Sequence, residues 1–305
     1  MKKYFLLFYC IVVLVIMVIY AMLYFKPNNK LLSSIMGNLK YTVHCGGSDK
    51  FIHACEKGKV DTVKKFIENG VDVNMGNGAP LVVAAINGHT EVVKELLKAK
   101  ADVNKQCIEC WNMSALMGAA AYDHPDIVQL LLDKRADVNL QGNEAYTALN
   151  YAAHGNGSAS LEIVQKLLKA NADPNIKNQY GDNALALAID VNNWQLVEPL
   201  LKAGADPNSE SDNDFIPLIQ TAARGNVETI KLLLDYGADI NKQTKTKQDT
   251  ALILAADNNH LDVIKVLLQA GADLHIKNKT GKEAVGYARQ RGYKDIEEFL
   301  KNAEG

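Results

Sequence analysis

Residues 238–275 read ADINKQTKTKQDTALILAADNNHLDVIKVLLQAGADLH, and the fold of the chain turns on this stretch. It opens on Ala238-Asp239-Ile240-Asn241 and closes on Ala272-Asp273-Leu274-His275, with the second Asp 34 residues after the first. Between the two lie a polar turn, a run of small apolar residues (Ala251 to Ala256), a short break and an apolar pair, Leu267-Leu268. Working outward, the tetrapeptide recurs at Val71 to Asn74, Ala101 to Asn104, Ala136 to Asn139, Ala172 to Asn175 and Ala205 to Asn208, with successive Asp spacings of 30, 35, 36, 33, 33 and 34. Leu96-Leu97, Leu131-Leu132, Leu167-Leu168, Leu200-Leu201 and Leu233-Leu234 precede it in the same way. A fixed period of this size is the signature of a repeat architecture, and each unit reads as turn, helix, short loop, helix.

Neither helix of one unit can bury its apolar face alone, so neighbours must stack. Small residues such as Ala84, Ala119, Ala152, Ala188 and Ala255 let first helices approach closely, while the Leu pairs fill the space between second helices. With this period, small-residue first helix, Leu-Leu second helix and Gly-Ala-Asp-x-Asn turn, the sequence resembles the ankyrin repeat family over residues 48–305, in about eight units. The fold class expected is an all-α ankyrin-repeat solenoid of helix-turn-helix units, preceded by one transmembrane helix. The chain departs from the family where its T-P-L-H motif places a His: Val82, Met117, Asn150, Ala186, Ile219, Ile253 and Gly286 stand there instead. The resemblance therefore implies a missing turn bond and a looser array. Extra residues around Gly155 to Ser160 predict a bulge, and Pro199 inside a second helix predicts a kink, because Pro removes one intrahelical donor. The charged residues of 283–305 suit a polar closing cap.

Ahead of the array, residues 4–25 (YFLLFYCIVVLVIMVIYAMLYF) form 22 positions without a charge. As a helix they span roughly 33 Å, enough for the ~30 Å hydrocarbon core. Tyr4, Tyr9, Tyr20 and Tyr24 lie toward the two ends, and Lys2, Lys3 and Lys26 frame the segment. A cleaved signal peptide would have a shorter apolar region and a small-residue cleavage site, which Ile19-Tyr20-Ala21 and Ile35-Met36-Gly37 match poorly. The expected organisation is a short amino tail (1–3), a transmembrane helix (4–25), a linker (26–47) and the repeat domain (48–305). The lysines nearest the membrane favour the tail inside and the repeats on the extracytoplasmic side.

Overall, 33 Lys and Arg nearly balance 35 Asp and Glu. The first 30 residues hold four Lys and no acid, so the rest carries 29 bases against 35 acids, a charge of -6. Such a body has no general attraction for a phosphate backbone, and nucleic-acid binding is not expected. No G-K-[ST] phosphate loop occurs, and Gly157-Ser158-Ala159-Ser160 is not a nucleophile elbow. Hence no catalytic residue, metal site or cofactor is assigned. Cys107-Ile108-Glu109-Cys110 lies in a repeat turn, away from any helix start that would lower a thiol pKa, and a structural zinc site would need two further ligands. A local disulfide, two free thiols, or metal or redox work all stay open for this pair. Cys55 aligns with a buried Ala and reads as core, Cys10 falls in the membrane segment and Cys45 before the array. His89, His124 and His260 fall at the starts of second helices and read as packing and capping residues.

The resemblance further implies contact positions three and five residues before the first-helix Leu, and near the end of that helix. Trp111 and Tyr180 lie five before Leu116 and Leu185, and Tyr146 and Phe215 three before Leu149 and Leu218. Four consecutive turns thus each carry one aromatic, expected on a solvent-facing tip, and aromatic anchors are what interfaces concentrate. Tyr122, His154, Asp190 and Arg224 extend the same wall. Glu210, Asp212 and Asp214 make an acidic turn; Lys242, Lys245, Lys247, Lys277, Lys279 and Lys282 make two basic ones, able to orient a partner of complementary charge. The function expected is a monomeric, membrane-anchored, non-catalytic module that binds one protein partner through its turns and concave face. The alternatives are an envelope inhibitor or immunity factor that masks a toxin or enzyme and, more remotely, thiol or metal chemistry at the CxxC.

Overall fold

A computed structural model describes residues 50–155 and 157–303. The expected membrane segment (4–25), the linker (26–47), Cys10 and Cys45 lie outside them. Among the described residues no helix is long and apolar enough to cross a membrane.

Sixteen α-helices are present among the described residues, in eight antiparallel pairs. The pairs are α1 (Lys50–Glu56) with α2 (Val60–Glu68), α3 (Met75–Ile86) with α4 (Thr90–Lys98), α5 (Ala115–Ala121) with α6 (Pro125–Asp133), and α7 (Ala148–His154) with α8 (Ser160–Lys169). They continue with α9 (Ala184–Asp190) and α10 (Val197–Lys202), α11 (Pro217–Arg224) and α12 (Val227–Asp235), α13 (Ala251–Asp257) and α14 (Leu261–Gln269), and α15 (Ala284–Arg291) and α16 (Lys294–Ala303). First helices pack on the first helices of neighbouring units, and second helices form a parallel outer row. Ala84, Ala119, Ala188 and Ala255 are fully buried where the first helices meet, as small residues at close approach must be. In each apolar pair the first Leu is fully buried (Leu96, Leu131, Leu167, Leu200, Leu233, Leu267); the second is half-buried everywhere but at Leu201. The core is therefore a thin layer between two helix rows, continued by each unit into the next.

The recurrent Asp and Asn have a direct physical reason. Each Asp Oδ1 accepts the amide N–H two residues on, from Asn74 on Asp72 to His275 on Asp273, at 2.8 to 3.0 Å. Each Asn Oδ1 then accepts the amide N–H of the following unit's Asp, six times in succession from Asp102 on Asn74 to Asp273 on Asn241. One tetrapeptide thus closes its own turn and fixes the register of the next unit. The tetrapeptide of the eighth unit carries His275 where the others carry Asn.

Four first helices are capped without the T-P-L-H histidine. Ser114, Thr147, Asn183 and Thr250 cap their first helices, each side chain accepting an amide N–H of the first turn. At Thr147 the cap is reciprocal: Asn150 Oδ1 accepts both the Thr147 amide (3.0 Å) and its hydroxyl (2.8 Å), so Asn150 does what the histidine would. The three second-helix histidines sit just before α4, α6 and α14, and none caps its own helix. Their Nε2 atoms bond back to the previous unit instead: His89 to Glu56 O at 2.8 Å, His124 to Ile86 O at 3.0 Å and His260 to Ala223 O at 3.1 Å. Each ring lies against a glycine of that unit, Gly58, Gly88 or Gly225, where an added Cβ would stand 2.5 to 2.6 Å from the imidazole. Packing was the right reading and capping the wrong one.

Pro199 does not kink a long helix. The second helix of its unit begins as a 3₁₀ turn (Trp194–Leu196) and continues as the six-residue α10, with Pro199 in the first turn, where an amide would lack an intrahelical partner anyway. In the fourth unit, Asp123 of the third holds the residue before α8, its carboxylate accepting the Ala159 amide at 3.1 Å.

Candidate functional site

Every turn between units presents two kinds of position. Five residues before the first-helix Leu the side chain leaves the array: Trp111, Glu144, Tyr180, Asn213, Lys247 and Thr280 are all exposed. Three residues before that Leu it leans back: Tyr146, Asp182 and Phe215 are half-buried, and Met113 and Asp249 are buried. The expectation of four aromatic tips is corrected accordingly. Trp111 (52% exposed) and Tyr180 (41%) stand on tips, while Tyr146 and Phe215 pack down beside their helices. The cause is backbone geometry. The residue between the two positions is left-handed in each of these turns (Asn112, Ala145, Gly181, Asp214, Gln248, Gly281), which turns the chain and sends the flanking side chains opposite ways.

The turn of the third unit is the most unusual. Cys107 and Cys110 are joined by a disulfide with Cα atoms 5.0 Å apart and both residues buried, around a 3₁₀ turn, Ile108–Cys110. Cys107 and Met113 close the base through the Cys107 amide on Met113 O at 2.9 Å. What the loop leaves outside is apolar: Ile108 is 66% exposed, and with Trp111, Glu109, Asn112 and Asn143 it borders a shallow open dent. Trp111 is itself left-handed (φ 60°), a conformation uncommon for a bulky residue and characteristic of functional loops. Ile108 went unnoticed in the sequence because it lies inside the CxxC, where attention falls on sulfur. Among the described residues no group of three His, Cys, Asp or Glu is placed to hold a metal ion.

Behind the tips of the fourth to sixth units lies a second group. The Tyr146 ring sits 5.0 Å from that of Tyr151 and 6.3 Å from His154. Burial pushes the Tyr146 phenol up to about 12 and Tyr151 higher still, and burial lowers His154 below its usual range although Asp190 pulls the other way. His154 is thus half-buried, not on an exposed rim. Asp182 is held above the ordinary carboxylate range, first by burial and then by the like charges of Asp190 and Asp212. Arg224 spans two units: Nη1 donates to Ile189 O at 2.7 Å, and Nη2 lies 3.1 Å from Asp190 Oδ1. It takes over from the inter-unit histidine, and its charge is already engaged. Tyr122 ends α5 and is 39% exposed. Tyr151 and Asp182 were missed in the sequence because nothing local marks them.

The segregated charges prove to be partners of one another. Glu210 lies 2.7 Å from both Lys242 and Lys245, which hold its carboxyl below its ordinary range, and Lys242 Nζ also donates to Asn208 O at 2.9 Å. Asp214 accepts the amides of Lys245 and Thr246 and the Thr246 hydroxyl. Lys277 pairs with Glu283 at 3.6 Å, and Lys282 lies over the Tyr287 ring. The acidic turn and the first basic turn therefore cement adjacent units, in place of the free, oppositely charged surfaces expected.

A stacked array of such pairs, with its Asp–Asn ladder, defines a helical repeat scaffold. The sequence profile described as Ankyrin repeats (3 copies) matches the chain in overlapping registers, 25–107, 51–142, 100–178, 116–211, 149–244, 185–278 and 218–304. The chain belongs to the ankyrin repeat family. It is similar to a putative ankyrin repeat protein of Fowlpox virus (strain NVSL), 31% identical over 152 residues, covering 47% of this chain and 44% of that protein. The match thus spans less than half the length of that relative. Ankyrin repeats make this a protein-protein interaction module, and the family is in general a non-enzymatic scaffold.

Proposed function

We propose that the array captures one protein partner through the tips of its third to fifth turns, and that residues 4–25 tether it to a membrane as a single-pass anchor with the repeats on the extracytoplasmic side. The observation that carries the binding surface is the exposure of Ile108 and Trp111 on the turn of the third unit and of Tyr180 on that of the fifth, large apolar side chains on an otherwise polar rim. Exposed aromatic and aliphatic anchors of this kind supply most of the energy of protein interfaces. The anchor rests on length, apolarity and flanking lysines alone. The partner is bound by a monomer, with neither nucleic acid nor cofactor involved.

The test compares the full chain with the variant Ile108→Ala, Trp111→Ala, Tyr180→Ala in affinity capture from the native membrane fraction. Loss of one stoichiometric partner, with helicity and melting unchanged, is the expected result. Equal recovery by the variant would place the contact surface elsewhere. The anchor is tested separately: full-length protein with an intact amino terminus should require detergent for release, and recovery in the aqueous fraction refutes it.

A further inference from the structure

We infer that the face formed by the fourth to sixth units receives a basic segment of the partner protein, with Asp182 meeting a lysine or arginine side chain and the rings of Tyr146 and Tyr151 beside it. This rests on the reading of the array as a protein-binding module and adds the chemistry of what it binds.

Three observations converge. First, the charged groups acting on Tyr146, Tyr151, His154 and Asp182 are all acidic, namely Glu144, Asp182, Asp190 and Asp212. Arg224 is committed to Asp190 and to the Ile189 carbonyl, and among the described residues no lysine or arginine pairs with Asp182. Elsewhere in the array the charged turns neutralise one another, as Glu210 does with Lys242 and Lys245, so this face stands out. Second, the acids border rings. The Tyr146 and Tyr151 rings lie 5.0 Å apart, and His154 lies 6.3 Å from Tyr146. An aromatic face beside carboxylates is complementary to a guanidinium or ammonium group, which gains from the ring quadrupole and from the charge together. Third, Asp182 is held by Asn178, its amide donating to Asn178 Oδ1 at 2.9 Å and the Asn178 amide donating to Asp182 O at 2.9 Å. These bonds place the residue without neutralising its carboxylate, and a half-buried carboxylate without a cation is costly until a cation arrives.

An incoming basic segment would lie across turns already linked by backbone hydrogen bonds, Gln179 N–H to Glu144 O at 2.9 Å and Asp212 N–H to Tyr180 O at 3.0 Å, so the receiving surface is preorganised. The exposed tip of Tyr180 belongs to the same surface, which joins this site to the apolar anchors.

The experiment uses the full chain in detergent and two fluorescein-labelled dodecapeptides, one repeating Arg-Ala-Leu and one with Glu in place of Arg. The Arg peptide is expected to bind at least about tenfold more tightly than the Glu peptide. Asp182→Asn and Tyr146→Leu should each weaken it roughly three- to tenfold, and Tyr146→Phe, which keeps the ring, should not. Glu228→Gln, an equal change of charge on the exposed second-helix side, should leave it unaffected. Equal binding of the two peptides, or equal loss with Glu228→Gln and Asp182→Asn, overturns the inference and leaves only general charge attraction. If the Arg peptide fails to bind while partner capture still depends on Ile108, Trp111 and Tyr180, this inference falls and the interaction module stands. If the Arg peptide binds with the expected ranking while the variant Ile108→Ala, Trp111→Ala, Tyr180→Ala still captures the partner, the apolar tips fall and this inference stands.

Discussion

At the scale of single residues, Asp182 shows how a binding group can work against its own fold. Its carboxyl is held above the ordinary range by burial and by neighbouring acids, so the folded array binds that proton more tightly than the unfolded chain does. A raised carboxyl contributes stability only while protonated; the contribution is full below the unfolded pKa and is lost as pH rises through the folded value. At neutral pH Asp182 is therefore a net burden, and Asp182→Asn should raise the melting temperature at pH 7, with the gain vanishing below about pH 4. Thermal melts of both proteins at the two pH values test this, and a lower melting point for the variant at pH 7 would contradict it. His154 has the opposite sign: burial keeps it neutral, so its contribution is present above the ordinary imidazole range and is lost as pH falls through the depressed value. Asp182 was not singled out in the sequence, and His154 was placed on the wall without its burial, because desolvation is created by side chains from other units. Trp111 and Tyr180, by contrast, were legible as exposed tips, since their offset from the first-helix Leu is local.

At the scale of helices and turns, the array is held by two devices that recur: the buried first Leu of each second helix and the contacts that cross to the preceding unit. Leu233 is fully buried between units, so Leu233→Ala should cost roughly 2 to 5 kcal/mol, combining lost transfer energy with a cavity. Gly88 illustrates the second device. It is left-handed (φ 73°), and a Cβ there would stand 2.6 Å from the His124 ring, so Gly88→Ala should cost about 1 to 3 kcal/mol from strain and displacement of the imidazole. Gly70, also left-handed but open on its Cβ side, should cost less when changed in the same way. Urea denaturation of the three variants checks both claims, and an equal cost at Gly88 and Gly70 would remove His124 from the argument. The helices, their order and the polar turns were readable from the period. The His–Gly pairing was not, since the two residues lie 31 to 36 positions apart and meet only through stacking.

At the scale of the whole array, stability is close to a sum over units and their neighbour contacts, so irregular units should open first. The fourth carries the longer loop 155–159, and the fifth has a second helix cut to six residues behind a 3₁₀ turn. Amide hydrogen exchange should therefore be faster in 155–159 and 193–199 than in α12 and α14, and uniform protection would show these irregularities to be energetically silent. Both irregular units help to build the face proposed to bind a basic segment, which is where local adaptability would serve recognition.

The sequence alone determined the architecture, because a unit that cannot bury its own apolar face repeats the same small and large residues at a period any reader can measure. It also marked the charged turns, the CxxC and two of the exposed aromatics, all properties of one turn taken by itself. Only the tertiary structure decided which of these face solvent and which face each other. A left-handed residue in each turn sends adjacent side chains opposite ways, so Tyr146 and Phe215 fold back while Trp111 and Tyr180 project. Glu210, read as part of a free acidic surface, is neutralised by lysines 32 and 35 residues away, while Asp182 is left without a cation. Periodicity records what every unit needs to stack; pairing across the stack depends on which side chains of neighbouring units come within reach, and that distance exists only in the folded array.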